Sequence, residues 1–270
     1  MPILNKDMTL CISLAGRPSN IGTRFHNYLY DELGLNYIYK AFTTDDIAGA
    51  ITGVRALGIR GCSVSMPFKE AVIPLVDDIA ESASVIESVN TIVNDGGRLS
   101  ASNTDVEAIA ALIVDHELDS DASVLVQGSG GMAKAVTGAF RNAGFADVTV
   151  AARNEVAGSA LADKYGYRYI PAPVAGPDIV VNVTPLGMRG ADAEVQAFDG
   201  DVIEAARVVF DVVAFPSETP LIAAARAAGK AVITGAEVIA LQAAAQFEKY
   251  TGVALTAEQV ARASEFSRAE

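Results

Sequence analysis

The chain has 270 residues, of which 51% are hydrophobic, enough for a sizeable core in one or two domains. Its net charge of −13 disfavours nucleic acid and anionic membrane surfaces, because both need a basic footprint. No apolar run approaches the roughly 18 residues of a membrane-spanning helix, so no membrane partner is expected. The start, Met1-Pro2-Ile3-Leu4-Asn5-Lys6-Asp7, precedes an apolar run too short for a secretory leader, and none is expected. Cys11 and Cys62 each lie in an apolar stretch. They read as buried thiols and fit a reducing cytoplasm. No Cys/His cluster has metal-ligand spacing, and no metal is expected.

Taken in order, residues 9–14 (Thr-Leu-Cys-Ile-Ser-Leu) read as a first strand, followed by a polar loop over 16–27. A helix then starts near Arg24, with Phe25, Tyr28, Leu29 and Leu33 on one face. A strand over 36–42 precedes a helix capped by Thr43 or Thr44, carrying Ile47, Ile51, Val54 and Leu57. Residues 61–65 form a third strand, broken at Met66-Pro67, and Phe68-Lys69-Glu70 opens a helix. A short strand over 89–93 leads to a turn at 94–97. Residues 102–105 precede a helix with Val106, Ile109, Leu112 and Ile113 inward. Further strands are expected at 124–126, 148–151, 167–170, 178–183, 208–213 and 231–234, with helices between most of them. Two helices, 238–247 and 257–266, close the chain. The rhythm predicts an α/β unit of about 100 residues, an ordinary domain size, and then a doubly wound parallel sheet.

The stretch Gly128-Ser129-Gly130-Gly131-Met132-Ala133 lies between an apolar strand and a helix marked by Ala133, Val136 and Phe140. In that context a G-x-G-x-x-A pattern points to a dinucleotide. Gly128 makes the turn, Gly130 lets the backbone approach a pyrophosphate, and Ala133 lets helix pack on strand. The helix's first amides and its dipole favour the anion. The next strand ends at Ala151-Ala152-Arg153-Asn154, where an NAD enzyme would carry a carboxylate for the ribose 2′-hydroxyl. Arg153 favours NADP, since its planar cation can stack on adenine and pair with a 2′-phosphate. Glu155 weakens that reading slightly, and Arg153 could also be a solvated loop cation.

Lys69 is the sharpest catalytic candidate, because a lysine at the end of a strand faces a ligand crevice and can transfer a proton. A surface lysine is the plain alternative. Asp105 could be a catalytic carboxylate or simply an acidic residue in the first turn of a helix.

Ser63-Val64-Ser65-Met66-Pro67-Phe68-Lys69-Glu70 resembles the V-T-V-P-F-K-E segment of shikimate dehydrogenases. Val89-Asn90-Thr91 resembles their A-V-N-T, Asn103-Thr104-Asp105 their N-T-D, and Gly128 to Ala133 their G-A-G-G-A-A. Asn182-Val183-Thr184-Pro185-Leu186-Gly187-Met188 looks like N-x-T-P-x-G-M. Segments from Asp211 to Leu221 and from Gly235 to Gln242 follow in order, so the resemblance covers nearly the whole chain.

The resemblance implies a cytoplasmic enzyme of aromatic amino acid biosynthesis that moves hydride reversibly between NADP(H) and shikimate/3-dehydroshikimate or a related hydroxy acid. Lys69 would exchange a proton with the substrate hydroxyl, and Asp105 would hold that hydroxyl and the ammonium. Ser65, Asn90 and Gln242 match positions that hydrogen-bond the ring hydroxyls. Gly128, Ser129, Gly130, Gly131, Met132, Ala133, Arg153, Asn154, Thr184, Val212 and Gly235 match cofactor positions. It also implies a substrate domain from residues 1–104 and 236–270, a Rossmann-type NADP domain from 105–235, and a cleft in which Lys69 and Asp105 face the nicotinamide. A monomer or homodimer is expected.

Departures fall at the substrate end. The family's S-x-S-P before H-N is replaced by Gly22-Thr23-Arg24-Phe25 before His26-Asn27. Thr23 could replace one hydroxyl, and Arg17 or Arg24 could either pair with a carboxylate or be solvated loop cations. Ala214 stands where a tyrosine is usual, and Val238 where a methionine is. The loop 16–27 looks like that of the shikimate dehydrogenase-like branch. Weak shikimate turnover or a related substrate is the expectation. The rivals are a quinate/shikimate enzyme using NAD, a non-catalytic NADP-sensing module, and a folate dehydrogenase of a related family, against which the N-T-D motif counts.

Overall fold

The computed structural model describes residues 4–269; residues 1–3, where the stretch read for a leader begins, and residue 270 lie outside the described residues. The chain divides into two compact units, one running through Thr104 and resuming at Ala240, the other spanning Asp105–Ile239.

The first unit opens with β1 (Thr9–Leu14), α1 (Ile21–Glu32), β2 (Tyr37–Phe42), α2 (Ile47–Ala56) and β3 (Gly61–Val64). It continues with β4 (Asp78–Ile79), α3 (Glu81–Ser84), β5 (Thr91–Asp95) and β6 (Arg98–Ser102). These strands form one sheet in the order β2-β1-β3-β5-β6-β4. β1 pairs parallel with β2 and β3, whereas β5 runs antiparallel to both β3 and β6. Alternation along β1 divides its side chains between two cores. Ile12 and Leu14 pack with Ile51, Val54 and Ile92. Cys11 points instead into an aromatic layer of Phe25, Tyr30, Tyr39, Phe247 and Tyr250.

The second unit holds α4 (Thr104–Asp115), β7 (Val124–Gln127), α5 (Gly131–Asn142), β8 (Val148–Ala151), α6 (Glu155–Tyr165) and β9 (Arg168–Ile170). Then come β10 (Ile179–Asn182), α7 (Gly200–Ala205), β11 (Val208–Asp211), α8 (Pro220–Ala227) and β12 (Ala231–Thr234). The helices α9 (Gly235–Thr251) and α10 (Ala257–Arg268) end the chain. Six strands pair in parallel in the order β12-β11-β10-β7-β8-β9. This is the dinucleotide-binding order, and it reverses between β7 and β10, where such sheets bind ligands. The near-continuous apolar runs in β7, β8 and β10 follow from burial on both faces.

The local readings need four corrections. Phe68-Lys69-Glu70 opens no helix; residues 69–72 form turns that lead to a 3-10 turn at Ile73–Leu75. Pro74 has no amide to donate to the Glu70 carbonyl, so an α-helical ladder opened at Phe68 cannot continue through it. Helix α2 is capped by neither threonine but by Asp46, whose side chain accepts the Gly49 amide at 2.8 Å. Helix α1 starts at Ile21, about one turn before Arg24, so Gly22 and Thr23 are helical rather than loop residues. The turn at 94–97 is the tip of a hairpin whose second strand, β6, carries too many polar residues to stand out in the sequence.

Candidate active site

In the second unit, the turn after β7 has the properties of a phosphate cradle. Gly128 has φ +128, and a Cβ there would lie 2.8 Å from Val183 Cγ2. Its amide donates to the Ala151 carbonyl at 2.8 Å, which holds the turn against β8. Gly130 caps α5 with no side-chain hydrogen bond to the first amides of the helix. Nothing lies within 4 Å of a Cβ built at Gly130 or Gly131, so backbone is bare on the approach side. Ser129 and Met132 are half-buried, and Ala133 is fully buried at the helix–sheet contact. Open space beside uncapped helix amides fits a pyrophosphate.

Around the cradle, Arg153 is exposed just past β8. Asn154 is also exposed, but its side chain caps α6 by accepting the Ala157 amide at 3.1 Å. Thr184 is held by Asn182, whose Oδ1 accepts both its amide (3.0 Å) and its hydroxyl (2.6 Å). Asn182 in turn donates to Asp211 Oδ1 at 3.0 Å, and Thr219 donates to Asp211 Oδ2 at 2.6 Å. Burial raises the Asp211 carboxyl above its ordinary value, against the pull of Thr219, Val213 and Asn182. Val212 donates its amide to the Asn182 carbonyl. A Cβ at Gly235 would run into the Val213 carbonyl, so only glycine permits that approach.

In the first unit the polar groups converge on Asn90, which is 2% exposed. Its Oδ1 accepts from the Thr104 amide (2.8 Å), the Thr91 hydroxyl (2.7 Å) and the Thr104 hydroxyl (3.2 Å). Its Nδ2 is buried and has no hydrogen-bond partner. Three donors on the oxygen fix the carboxamide's orientation, so the nitrogen must be the end offered to a ligand. A buried donor left unsatisfied costs about 1–3 kcal/mol, which an oxygen-bearing ligand would recover. Lys69 is half-buried, and its carbonyl accepts the Val89 amide at 2.9 Å, tethering the lysine's turn to the residue before Asn90. Asp105, 8% exposed, directly follows Thr104 in the first turn of α4. Within the first unit, a backbone bond thus joins the Lys69 turn to the residue before Asn90, and the Asn90 side chain holds the Thr104 amide. Neighbouring Asn103 is held by the Ser88 carbonyl at 2.8 Å.

Other expected residues are less uniform. Ser65 is exposed, and its carbonyl closes the turn by accepting the Phe68 amide. The Thr23 hydroxyl is buried without a hydrogen-bond partner. Gln242 is half-buried and donates to Gln246 at 3.5 Å. Arg24 is engaged elsewhere: its Nε and Nη2 donate to the Phe266 carbonyl at 3.2 and 2.8 Å, and it stacks on the Phe266 ring. Arg17 is exposed. Ala214 is half-buried and Val238 buried. Sequence reading passed over Gln246, whose only signal is a polar residue on the apolar face of α9, one turn after Gln242.

A family model for the shikimate dehydrogenase substrate-binding domain matches residues 20–92. Across 98% of the chain, the sequence is 58% identical to a shikimate dehydrogenase-like protein of Haemophilus influenzae, covering 99% of that protein. The chain belongs to the shikimate dehydrogenase family. A shikimate dehydrogenase (NADP(+)) of Chlorobaculum tepidum is 35% identical, with 87% of each chain covered. Among solved structures, a shikimate 5-dehydrogenase-like protein superposes with a TM-score of 0.96 at 57% identity, covering 99% of this chain and 100% of that one. Shikimate 5-dehydrogenase of Thermus thermophilus in complex with NADP(H) and shikimate gives 0.87 at 28% identity, covering 96% and 100%. Quinate dehydrogenase of Corynebacterium glutamicum in complex with NAD gives 0.85 at 27%, covering 96% and 98%. Proteins of this fold are therefore seen with either dinucleotide.

Proposed function

We propose that the chain is an NADP-dependent, cytoplasmic oxidoreductase that interconverts a ring hydroxyl and ketone on shikimate or a closely related hydroxy acid. The observation that carries this reading is the buried, unpartnered Asn90 Nδ2, in a segment tethered to the Lys69 turn and to the Thr104 amide. A bound NADP(H) supplies or accepts the hydride. Gly128 to Ala133 would hold its pyrophosphate, Arg153 would pair with the 2′-phosphate, and Thr184, Val212 and Gly235 would shape the remaining contacts. Asn90 Nδ2 donates to one ring oxygen, with Ser65 and Gln242 supplying further polar contacts. As the alcohol is oxidised, Lys69 Nζ takes the hydroxyl proton and Asp105 holds the hydroxyl and the ammonium in place. In the reverse direction the same lysine returns the proton.

The substrate end departs from the family pattern, which supports a substrate related to shikimate but bound with different carboxylate contacts. Thr23 offers a hydroxyl there. The Phe266 bonds of Arg24 leave Arg17 as the better candidate for a carboxylate. The loss of one polar contact lowers specificity by about ten- to a hundredfold, so shikimate turnover is expected to be weak.

The test is a hydroxy-acid and keto-acid panel read by NADPH absorbance, run with both NADP and NAD. Turnover of shikimate, quinate or a close analogue with NADP preferred supports the reading. NADP binding without turnover of any member would favour a sensing module instead. Lys69→Ala is expected to lower kcat by about 10²–10⁴-fold, the usual weight of a proton-transfer group, while NADP still binds. Unchanged turnover would remove Lys69 from its role.

A further inference from the structure

We infer that Gln246 is a positioning residue for substrate binding, acting through Thr91 on Asn90 and through its own oxygen on Gln242. The inference rests on the substrate-binding role proposed for Asn90. Gln246 is 2% exposed, in a helix whose neighbouring side chains Ala243, Phe247 and Tyr250 are apolar core. A carboxamide in that setting is tolerated only if its polar atoms are paired. Its Nε2 donates to Thr91 Oγ1 at 3.0 Å, to the Asn90 carbonyl at 3.3 Å and to Ser63 Oγ at 3.4 Å. Its Oε1 accepts from Gln242 Nε2 at 3.5 Å.

The consequence lies in the direction of one hydroxyl hydrogen. Thr91 has two possible acceptors for its single hydrogen: Asn90 Oδ1 at 2.7 Å and Thr104 Oγ1 at 3.3 Å. With Gln246 donating to the Thr91 oxygen, the hydroxyl hydrogen points away from Gln246 and towards Asn90 Oδ1. That bond is one of the three that identify the oxygen end of the Asn90 carboxamide. Remove Gln246, and the hydroxyl can rotate, the carboxamide loses a donor, and Nδ2 is less firmly held out to a ligand. The same substitution frees Gln242, one turn earlier on α9. One buried side chain thereby sets two polar groups from two different elements.

The test uses the full chain with Gln246→Leu, Thr91→Val and the double variant, all compared with wild type for thermal unfolding and NADP binding. Asn90 side-chain amide resonances are followed by nitrogen-15 NMR, assigned by their loss in Asn90→Ala. With shikimate as the probe substrate, Gln246→Leu should raise KM about tenfold, the effect of about 1.4 kcal/mol, with kcat within about twofold and NADP affinity unchanged. Because Gln246 acts through Thr91, the double variant should raise KM less than the product of the two single effects. The Asn90 amide resonances should shift and broaden in Gln246→Leu. A folded variant with unchanged KM and unchanged Asn90 resonances overturns the inference, as does a purely multiplicative double variant. If the wild-type chain turns over none of the panel, the proposed function fails, and the Asn90 resonances alone decide: unmoved signals in Gln246→Leu sink the positioning role.

Discussion

Asn90 Oδ1 accepts the Thr104 amide at 2.8 Å, and this bond turns the Asn90 nitrogen outwards as a buried donor without a partner. Asn90→Asp keeps the acceptor but replaces the donor with a second carboxylate oxygen. We expect KM for the hydroxy acid to rise at least about tenfold, since hydrogen bonds to a bound group are worth about 1–3 kcal/mol. NADP affinity should not change. Steady-state kinetics at saturating NADP checks it, and an unaltered KM would mean the donor faces no substrate.

Gly128 cannot be replaced without strain. Its φ of +128 disfavours any side chain, and a Cβ would meet Val183 Cγ2 at 2.8 Å. Gly128→Ala should lower stability by about 1–3 kcal/mol, the usual cost of such a backbone position, and weaken NADP binding in the same variant. Gly131→Ala, which meets open space, should leave stability nearly intact. Equal melting temperatures for the two variants would contradict this account.

Arg153 should decide between dinucleotides. Arg153→Ala is expected to cost NADP about tenfold or more in affinity, as for hydrogen bonds to a charged group, while NAD binding stays within about twofold. Titration of each nucleotide by calorimetry reads the ratio directly. A uniform loss for both would assign Arg153 to adenine stacking rather than to the 2′-phosphate.

His26 predicts a pH dependence of stability. It is fully buried, stacks on Tyr39 at 4.4 Å, and has no hydrogen-bond partner on either ring nitrogen. Burial lowers its pKa from 6.5 to about 3, and the proximity of Gln246 opposes this only in part. Between those values the unfolded chain binds a proton that the folded chain does not. Stability from this group is therefore level above pH 6.5 and falls as the pH drops towards 3, by up to about 1.4 kcal/mol per unit. Urea unfolding from pH 7 to pH 4 should show a shallower decline in His26→Phe than in wild type. Parallel slopes would refute it.

Much was legible in the residues alone, where a short segment carries its own physical reason. The Gly128 turn needs no tertiary information, because strand, glycines and helix are consecutive and the backbone conformation is local. The parallel strands announce themselves as apolar runs, since burial on both faces leaves no polar alternation. The order of short motifs also points to the family, because each motif is contiguous in the chain.

What the sequence could not decide depends on partners far apart in the chain. Lys69 reads as the start of a helix until Pro74 and the Val89 contact place it in a turn. Arg24 reads equally as a carboxylate ligand or a solvated loop cation until α10 supplies the Phe266 carbonyl. Gln246 reads as one more polar residue on a helix until the sheet brings Thr91, 155 positions earlier, within 3.0 Å of it. By itself the sequence determined the chemistry available: a glycine turn for a phosphate, a lysine and a carboxylate for a proton, an arginine for a charge. Only the tertiary structure decided which polar atoms are already satisfied within the described residues and which, like Asn90 Nδ2, are left over. Hydrogen-bond satisfaction belongs to three-dimensional neighbours, and sequence spacing does not record them.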